Sequence, residues 1–435
     1  MSKRQQRRKL QQRRLRKRVG IVGSGALALT LLSAGTAEAK QPTFKVTSLK
    51  DSGRGTLRTA ITDADAARTK PSSPALITFA SRLTGSIDLE TNLPYITDSI
   101  DIRGPGADKV TINPDDFQDG IAFSVISDYS ANTSLTISGL SMSNFYAEAP
   151  EHGGYSGFVG ADHVTLKLIN DTFRDDSVTT SGTIYAHGGS VTIDKCSFSH
   201  DQSQQKSAGA AYVLDGKLTI DNSTFSDDST ADFGGAVKSV HSPTTITDST
   251  FTGNSAYGGG ALYLTDSKTT ITAATIIGNH ALTTYGGGIA VDGGTLTLAN
   301  TIVAGNTETN HANADKTLGN YSDVWVRKGA TLVANFSLIQ HNPGDFDPAP
   351  GTPSLNSTDI LDKSADLGPL AFNGGPTETE LPKPGSPAIN AGQAFGLKTD
   401  QRGDKRTVDY PGVKKRKGSD GTDIGAVELQ APKHS

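Results

Sequence analysis

Cysteine is almost missing from this chain: Cys196 stands alone, so no internal disulfide can form. Tryptophan occurs once and methionine twice, and hydrophobic residues make up only 35% of 435 residues. Such scarcity does not suit a large, irregular core. It suits a thin, regular one built from Val, Ile, Leu and small residues. No apolar stretch of spanning length follows the N-terminal region, so no membrane crossing is expected in the rest of the chain. Glycine, by contrast, is plentiful at 48 residues.

Acidic residues are absent from residues 1–18, which hold ten Lys and Arg. An apolar run from Val19 to Leu32 follows, and then Ala37-Glu38-Ala39. A basic segment, a short apolar segment and an A-x-A site make a secretory signal peptide. The run is too short to be a membrane span. Cleavage is expected between Ala39 and Lys40, with residues 1–39 removed. Losing ten basic residues and one acidic residue takes the formal charge from −4 to −13. A mature chain that acidic is a poor nucleic-acid binder and suits a secreted or loosely surface-associated protein.

Between residues 164 and 340 the sequence repeats itself. Short β-type runs end in Ser or Thr plus a large apolar residue, as in Val191-Thr192-Ile193 followed by Ser197-Phe198. Anchoring on the apolar residue of each run gives Leu168, Ile193, Ile220, Ile246, Ile271, Leu298 and Val333, with steps of 25, 27, 26, 25, 27 and 35. Phe173, Phe198, Phe225, Phe251, Ile276, Val303 and Leu338 follow their anchors. A second run in each repeat opens on glycine, at Gly182, Gly209, Gly235, Gly260 and Gly288. One such unit cannot bury its own apolar residues, but a stack of them makes a continuous core. Alternation of Thr and Ile fits strands with one buried face. No helical period occurs here, Leu is not dominant as in a leucine-rich horseshoe, and the repeat is too short for a propeller blade. The expected fold is all-β, a right-handed parallel β-helix with a short N-terminal helical cap. The last, long step marks an inserted loop around residues 307–325.

These rungs resemble the parallel β-helix repeats of bacterial surface proteins. Phe251-Thr252-Gly253-Asn254, Gly234-Gly235-Ala236-Val237 and Gly259-Gly260-Ala261-Leu262 are similar to the repeats of polymorphic outer-membrane proteins. Val46 to Gly53, with Thr56-Leu57-Arg58-Thr59-Ala60-Ile61, resembles the helical cap that opens such proteins, without the cysteine often found there. Blocks at 367–371, 373–377, 385–390, 400–403 and 423–426 resemble, in order, the domain called choice-of-anchor Q. The resulting division is signal peptide 1–39, cap 40–75, β-helix 76–345 and choice-of-anchor Q-like region 346–435. The resemblance implies fold and export, and little about activity.

Stacking turns each register position into a column in space. Eight residues after the anchors lie Asp176, Asp201, Asp228, Asn254, Asn279 and Asn306. Turn chemistry explains Asp and Asn at a corner. Alternatively, Asp176, Asp201 and Asp228, repelling one another at rung spacing, would hold a cation such as Ca²⁺. A third reading is paired carboxylates for glycoside hydrolysis. A second column, three residues after the corner glycines, reads Tyr185, Tyr212, Lys238, Tyr263 and Val291. Facing outward, its tyrosines would stack on sugar rings and Lys238 would meet the carboxylate of an acidic sugar. Facing a neighbouring loop, they would be a structural aromatic stack. The histidines show no metal-ligand spacing along the chain. Cys196 occupies a small-residue position and is expected to be packed, not reactive. Asp-Asp occurs at 175–176 and 227–228, but the Asn-x-Asp, Gly-His-Gly and Arg-x-Lys partners of polygalacturonases are absent as a set.

The sequence thus leads to a monomeric, exported adhesion or glycan-binding module, with the four-residue column Tyr185, Tyr212, Lys238 and Tyr263 as its ligand site. The alternative is an extracellular lyase or hydrolase acting on acidic polysaccharide.

Overall fold

The computed structural model describes residues 41–69, 72–114, 121–126, 133–147, 157–205, 207–283, 285–309, 323–341 and 352–431. The cleavage site at Ala39 and Lys40 and most of the inserted loop lie outside them. Residues 41–435 make one compact unit.

Each regular rung is four short strands. Ile184–His187 leads into Ser190–Asp194, then Ser197–Ser199 and Gln202–Ser203. The next rung repeats them as Ala211–Leu214, Lys217–Asp221, Thr224–Ser226 and Ser229–Thr230, pairing parallel throughout. Further along, the first two strands fuse into Leu262–Thr272 and Ile289–Ala299. The fold is therefore the all-β parallel solenoid that the repeat predicts.

Alternation sets which residues go inside. In Ser190–Asp194, Val191 and Ile193 are buried while Thr192 is only half-buried. Rung upon rung, Ile77, Ile102, Ile137, Leu168, Ile193, Ile220, Ile246, Ile271 and Leu298 pair in one unbroken interior column. The column reaches well above Leu168. At its far end Leu298 pairs with Ala334, not Val333, and Val303 pairs with Ile339, not Leu338. Hydrophobicity favoured valine over alanine in the sequence, but the pleat lets only every second side chain point inward, and that side chain belongs to Ala334. Beside the aliphatic column, the rings of Phe173, Phe198, Phe225 and Phe251 stack nearly parallel, with centroids 4.6, 4.7 and 4.8 Å apart.

Left-handed backbone recurs at three corners per rung: one, at His163, Gly188, Asp215, His241 and Asp266, lies between the first two strands, and two flank the phenylalanine-bearing strand. Of these two, the first uses Asn170, Lys195, Asn222, Asp248, Ala273 and Asn300; the second uses Asp175, His200 and Asp227, then Gly253, Gly278 and Gly305. The Asp/Asn column sits one residue beyond this last corner and does a different job. It is an interior ladder: each backbone N–H in the column donates to the side-chain oxygen of the rung above. Asp176 N donates to Asp201, Asp201 N to Asp228, Asp228 N to Asn254, Asn254 N to Asn279 and Asn279 N to Asn306, all at 3.0 Å. Asp323 caps the series at Asn306. A lesser ladder passes through the small-residue column, where Cys196 N donates to Ser223 Oγ and Ser223 N to Ser249 Oγ. Cys196 is fully buried, and burial holds its thiol well above the usual range, which keeps it unreactive.

The N-terminal end is closed by helix α1, Leu57–Ala66, capped by the Thr56 hydroxyl and burying Leu57, Ala60, Ile61 and Ala64. That spacing is one helical face, and it covers the start of the stack, where strands Thr43–Val46 and Ala75–Phe79 of consecutive turns pair parallel. The C-terminal region folds back along the phenylalanine-bearing face. There the outward threonines of successive rungs are buried beneath it. Thr224 donates to Glu378 O and Thr250 to Gln401 Oε1, each at 2.7 Å, and Ala426 N donates to Thr275 Oγ1. Arg406, fully buried, pairs with Asp248 at 2.7 Å. Within the block at 400–403, Asp400 and Arg402 form an ion pair at 2.8 Å. Among the described residues no helix is long and apolar enough to cross a membrane.

Candidate functional site

The register places the predicted tyrosine column on consecutive strands of the largest sheet. Tyr185 pairs with Tyr212, Tyr212 with Lys238 and Lys238 with Tyr263. Beyond Tyr263 the column passes to Ala290, not Val291, and from Ala290 to Trp325. Gly287, not Gly288, is the true counterpart of Gly260, which explains the one-residue shift. Tyr185 is buried, while Tyr212, Lys238, Tyr263 and Trp325 are half-buried.

A second aromatic row runs alongside. Phe233, Tyr257 and Tyr285 each stand directly before a glycine run, at 233–235, 257–260 and 285–288. This aromatic-Gly-Gly recurrence was visible in the sequence and marks residues that the column reading alone does not find. The glycines make the row possible: a Cβ on Gly258 would lie 2.7 Å from Tyr285 Cβ and 3.0 Å from the Phe233 ring. Phe233 packs on Tyr263 with centroids 4.5 Å apart and meets Tyr257 edge-on at 5.4 Å. Tyr285 meets Trp325 edge-on at 5.0 Å.

Together the two rows bound a cleft of about 380 Å³, lined by Phe233, Tyr257, Tyr263, Tyr285, Trp325, Asp292 and Arg327. Its polar wall is one network. Tyr263 Oη donates to Asp292 Oδ2 at 2.7 Å, and Arg327 Nη1 donates to Asp292 Oδ1 at 2.6 Å. Burial, with the Asp292 carboxylate beside it, holds the Tyr263 phenol well above the usual tyrosine range, so it stays a donor. Lys238 is paired with Asp232 and lies over the rings of Tyr212, Phe233 and Tyr263, 5.4–5.8 Å from their centroids. Each of these cations already has its own carboxylate. The cleft therefore offers flat apolar faces rimmed by neutralised polar pairs, which suits a polyhydroxylated ring better than a bare anion.

The aspartates considered for calcium are not at the cleft. Asp176, Asp201 and Asp228 lie inside the solenoid, each at most 1% exposed. One oxygen of each accepts a backbone N–H. The other is buried without a hydrogen-bond partner. Burial holds all three carboxyls well above the usual range, with the charge of neighbouring aspartates reinforcing it. That position argues for the turn-and-ladder reading over a calcium or catalytic one, because a neutral, interior carboxyl offers neither a hard anionic ligand nor a base facing substrate.

Stacking also gathers histidines that look scattered along the chain. Asp162, His163 and His187 bring their ligand atoms within 4.8 Å of one another, the one such His/Asp group among the described residues. Asp162 pairs directly with His187 across adjacent strands. A separation of 24–25 residues is remote in sequence and one strand spacing in a solenoid.

No curated protein sequence matches the chain. Among solved structures it is similar to pectate lyase Pel9A, at 13% identity and TM-score 0.44 over 90% of this chain and 97% of that one. It is similar to the ORF18 protein of Geobacillus virus E2 at 11% identity and TM-score 0.39, covering 74% of this chain and spanning 60% of that one. Tailspike protein 3 of bacteriophage CBA120 follows at 14% identity and TM-score 0.34, over 75% and 61%. At these values the likenesses say nothing about activity. The rungs themselves, residues 156–334, match the family described as the right handed beta helix region, and this part of the chain is a β-helix of that hand.

Proposed function

We propose that this protein is an exported, non-catalytic glycan-binding module that holds a sugar ring in the cleft between its two aromatic rows. The observation that carries the reading is the cleft itself, with Trp325 and Tyr285 at one end and Phe233 and Tyr263 at the other, rimmed by Asp292 and Arg327. Aromatic faces take the apolar side of a pyranose, and the paired side chains take its hydroxyls. Export rests on the basic segment, apolar run and A-x-A site of residues 1–39. The tail blocks, which resemble choice-of-anchor Q, are consistent with display at or near a cell surface. Hydrolysis by two carboxylates would need a facing pair, whereas among the described residues Asp292 is the one acidic residue lining the cleft.

The test is binding of the chain lacking residues 1–39 to a glycan array, followed by titration calorimetry with the best soluble oligosaccharide. Trp325→Ala is expected to weaken binding by about tenfold or more, equivalent to roughly 1.4 kcal/mol, while leaving the melting temperature within a few degrees. Unchanged affinity in Trp325→Ala, or cleavage of the bound glycan, would overturn the proposal.

A further inference from the structure

We propose that Asp162, His163 and His187 form a binding site for a divalent transition metal, zinc by its ligand chemistry, on the edge of the solenoid opposite in chain order to the aromatic cleft. The strand column that passes through Asp162 and His187 continues through Leu214, Val240 and Thr265 to Asp292. Sugar site and metal site thus lie along one ladder.

The geometry is specific. Asp162 Oδ1 is 2.7 Å from His163 Nδ1 and 3.1 Å from His187 Nδ1. Tetrahedral zinc with nitrogen and oxygen ligands at 2.0–2.2 Å separates its ligand atoms by roughly 3.3 Å. Asp162 Oδ1 needs to draw back from each nitrogen by only a few tenths of an ångström to admit the ion, and all three ligand atoms lie within 4.8 Å of one another. The two rings stand edge to face, centroids 4.8 Å apart, so their nitrogens converge instead of stacking. Two imidazoles and one carboxylate are a donor set that calcium and magnesium disfavour and zinc accepts. All three side chains are about one-third exposed, at 32%, 37% and 35% for His163, Asp162 and His187, which leaves an entry path and a coordination position for water.

The surroundings are built for the set. With His187 Nδ1 turned toward Asp162, its other nitrogen faces Asp215, Nε2 to Oδ2 at 3.8 Å. A carboxylate behind a ligating histidine fixes its tautomer and raises its basicity. Asp215 is in turn held by His241 Nδ1 at 3.2 Å. On the following rung Gly188 takes the corner position that His163 takes on its own. A Cβ there would come within 2.7 Å of the His163 ring, so a larger residue would push the ring out of place. His163 itself sits at φ +56°, a backbone that histidine, asparagine and aspartate tolerate best after glycine.

The experiment uses the chain lacking residues 1–39 and any polyhistidine tag. Zinc chloride is titrated by calorimetry, and cobalt chloride by its visible absorption. One equivalent of zinc is expected per chain, with a Co²⁺ spectrum of four-coordinate type. His163→Asn, which suits the left-handed corner, and His187→Gln are each expected to abolish stoichiometric binding. Asp215→Asn is expected to weaken it by about tenfold, and His241→Gln to retain the stoichiometry. Circular dichroism melts confirm that these surface variants fold. The proposal is overturned if the wild-type chain takes up no zinc saturably, if binding survives both His163→Asn and His187→Gln, or if His241→Gln abolishes it equally.

Discussion

Changing Asp176, Asp201 and Asp228 together to Asn is expected to stabilise the protein at pH 8, by about 1–3 kcal/mol for each position that gains its missing hydrogen bond. The molecule contains its own control. Three rungs on, Asn254 occupies the same place, accepts Asp228 N–H through Oδ1, and donates Nδ2 to Phe225 O at 3.1 Å and to Asn279 Oδ1 at 2.9 Å. Asn279 and Asn306 repeat the pattern. Where an aspartate replaces the amide, the corresponding oxygen has no partner as a carboxylate. Protonated, it becomes a donor and imitates asparagine. Asp175 and Asp227, at the adjoining corners, oppose ionisation of the ladder carboxyls. His200, one residue before Asp201, lies 3.8 Å from Asp227 at the surface.

The sign of the pH dependence follows directly. The folded state holds these protons to a higher pH than the unfolded chain, whose aspartates titrate near pH 4. Between the two values the folded state binds more protons, so stability is full below about pH 4 and declines as pH rises toward the folded values. Asp171 and Glu428, each pushed up to about 8 by burial, and Asp248 and Glu308, each pushed up to about 7 by burial, act in the same direction. The wild-type chain should therefore lose stability from about pH 4 to about pH 8, and the triple variant should lose less. Urea or thermal melts at pH 5 and pH 8 check this. A variant no more stable than wild type at pH 8 would mean that the ladder aspartates are ionised and satisfied.

Phe225→Ala should be among the most damaging single changes, at about 3–5 kcal/mol. Phe225 is fully buried and sandwiched at 4.7 and 4.8 Å between Phe198 and Phe251. Its rung cannot collapse into the vacancy, because parallel pairing to both neighbours fixes the strand positions. Phe225→Leu should cost less than half as much, since most of the volume stays filled. Equal costs for the two variants would show that ring stacking, not cavity volume, dominates.

The solenoid was legible because its physics is periodic. Each rung repeats the same alternation, so Ile193, Ile220 and Ile246 announce one another. Legibility failed where periodicity did. After the insertion, hydrophobicity pointed to Val333, and only pairing with Leu298 identifies Ala334 as the inward residue. The tyrosine column is legible up to Tyr263, but its continuation is not, because adjacent glycines at Gly287-Gly288 leave the register ambiguous. Trp325, set after a long insertion, then fell outside the column. Inward and outward positions were hardest to separate at corners. Turn chemistry assigns the left-handed backbone to Asp201 and its column neighbours, whereas it belongs to the residue before each of them. The histidines are illegible for another reason: spacing along the chain does not reveal a ligand set that this fold assembles across rungs, from His163 to His187.

The central claim is that the stacked rungs set two aromatic rows facing one sugar. The most direct measurement is a crystal structure of the chain lacking residues 1–39, soaked with the oligosaccharide that binds best on the array. A pyranose ring lying against Trp325 or Tyr263, with hydroxyls on Asp292 or Arg327, is the predicted result. An intact oligosaccharide bound on another face, with this cleft empty, would contradict it.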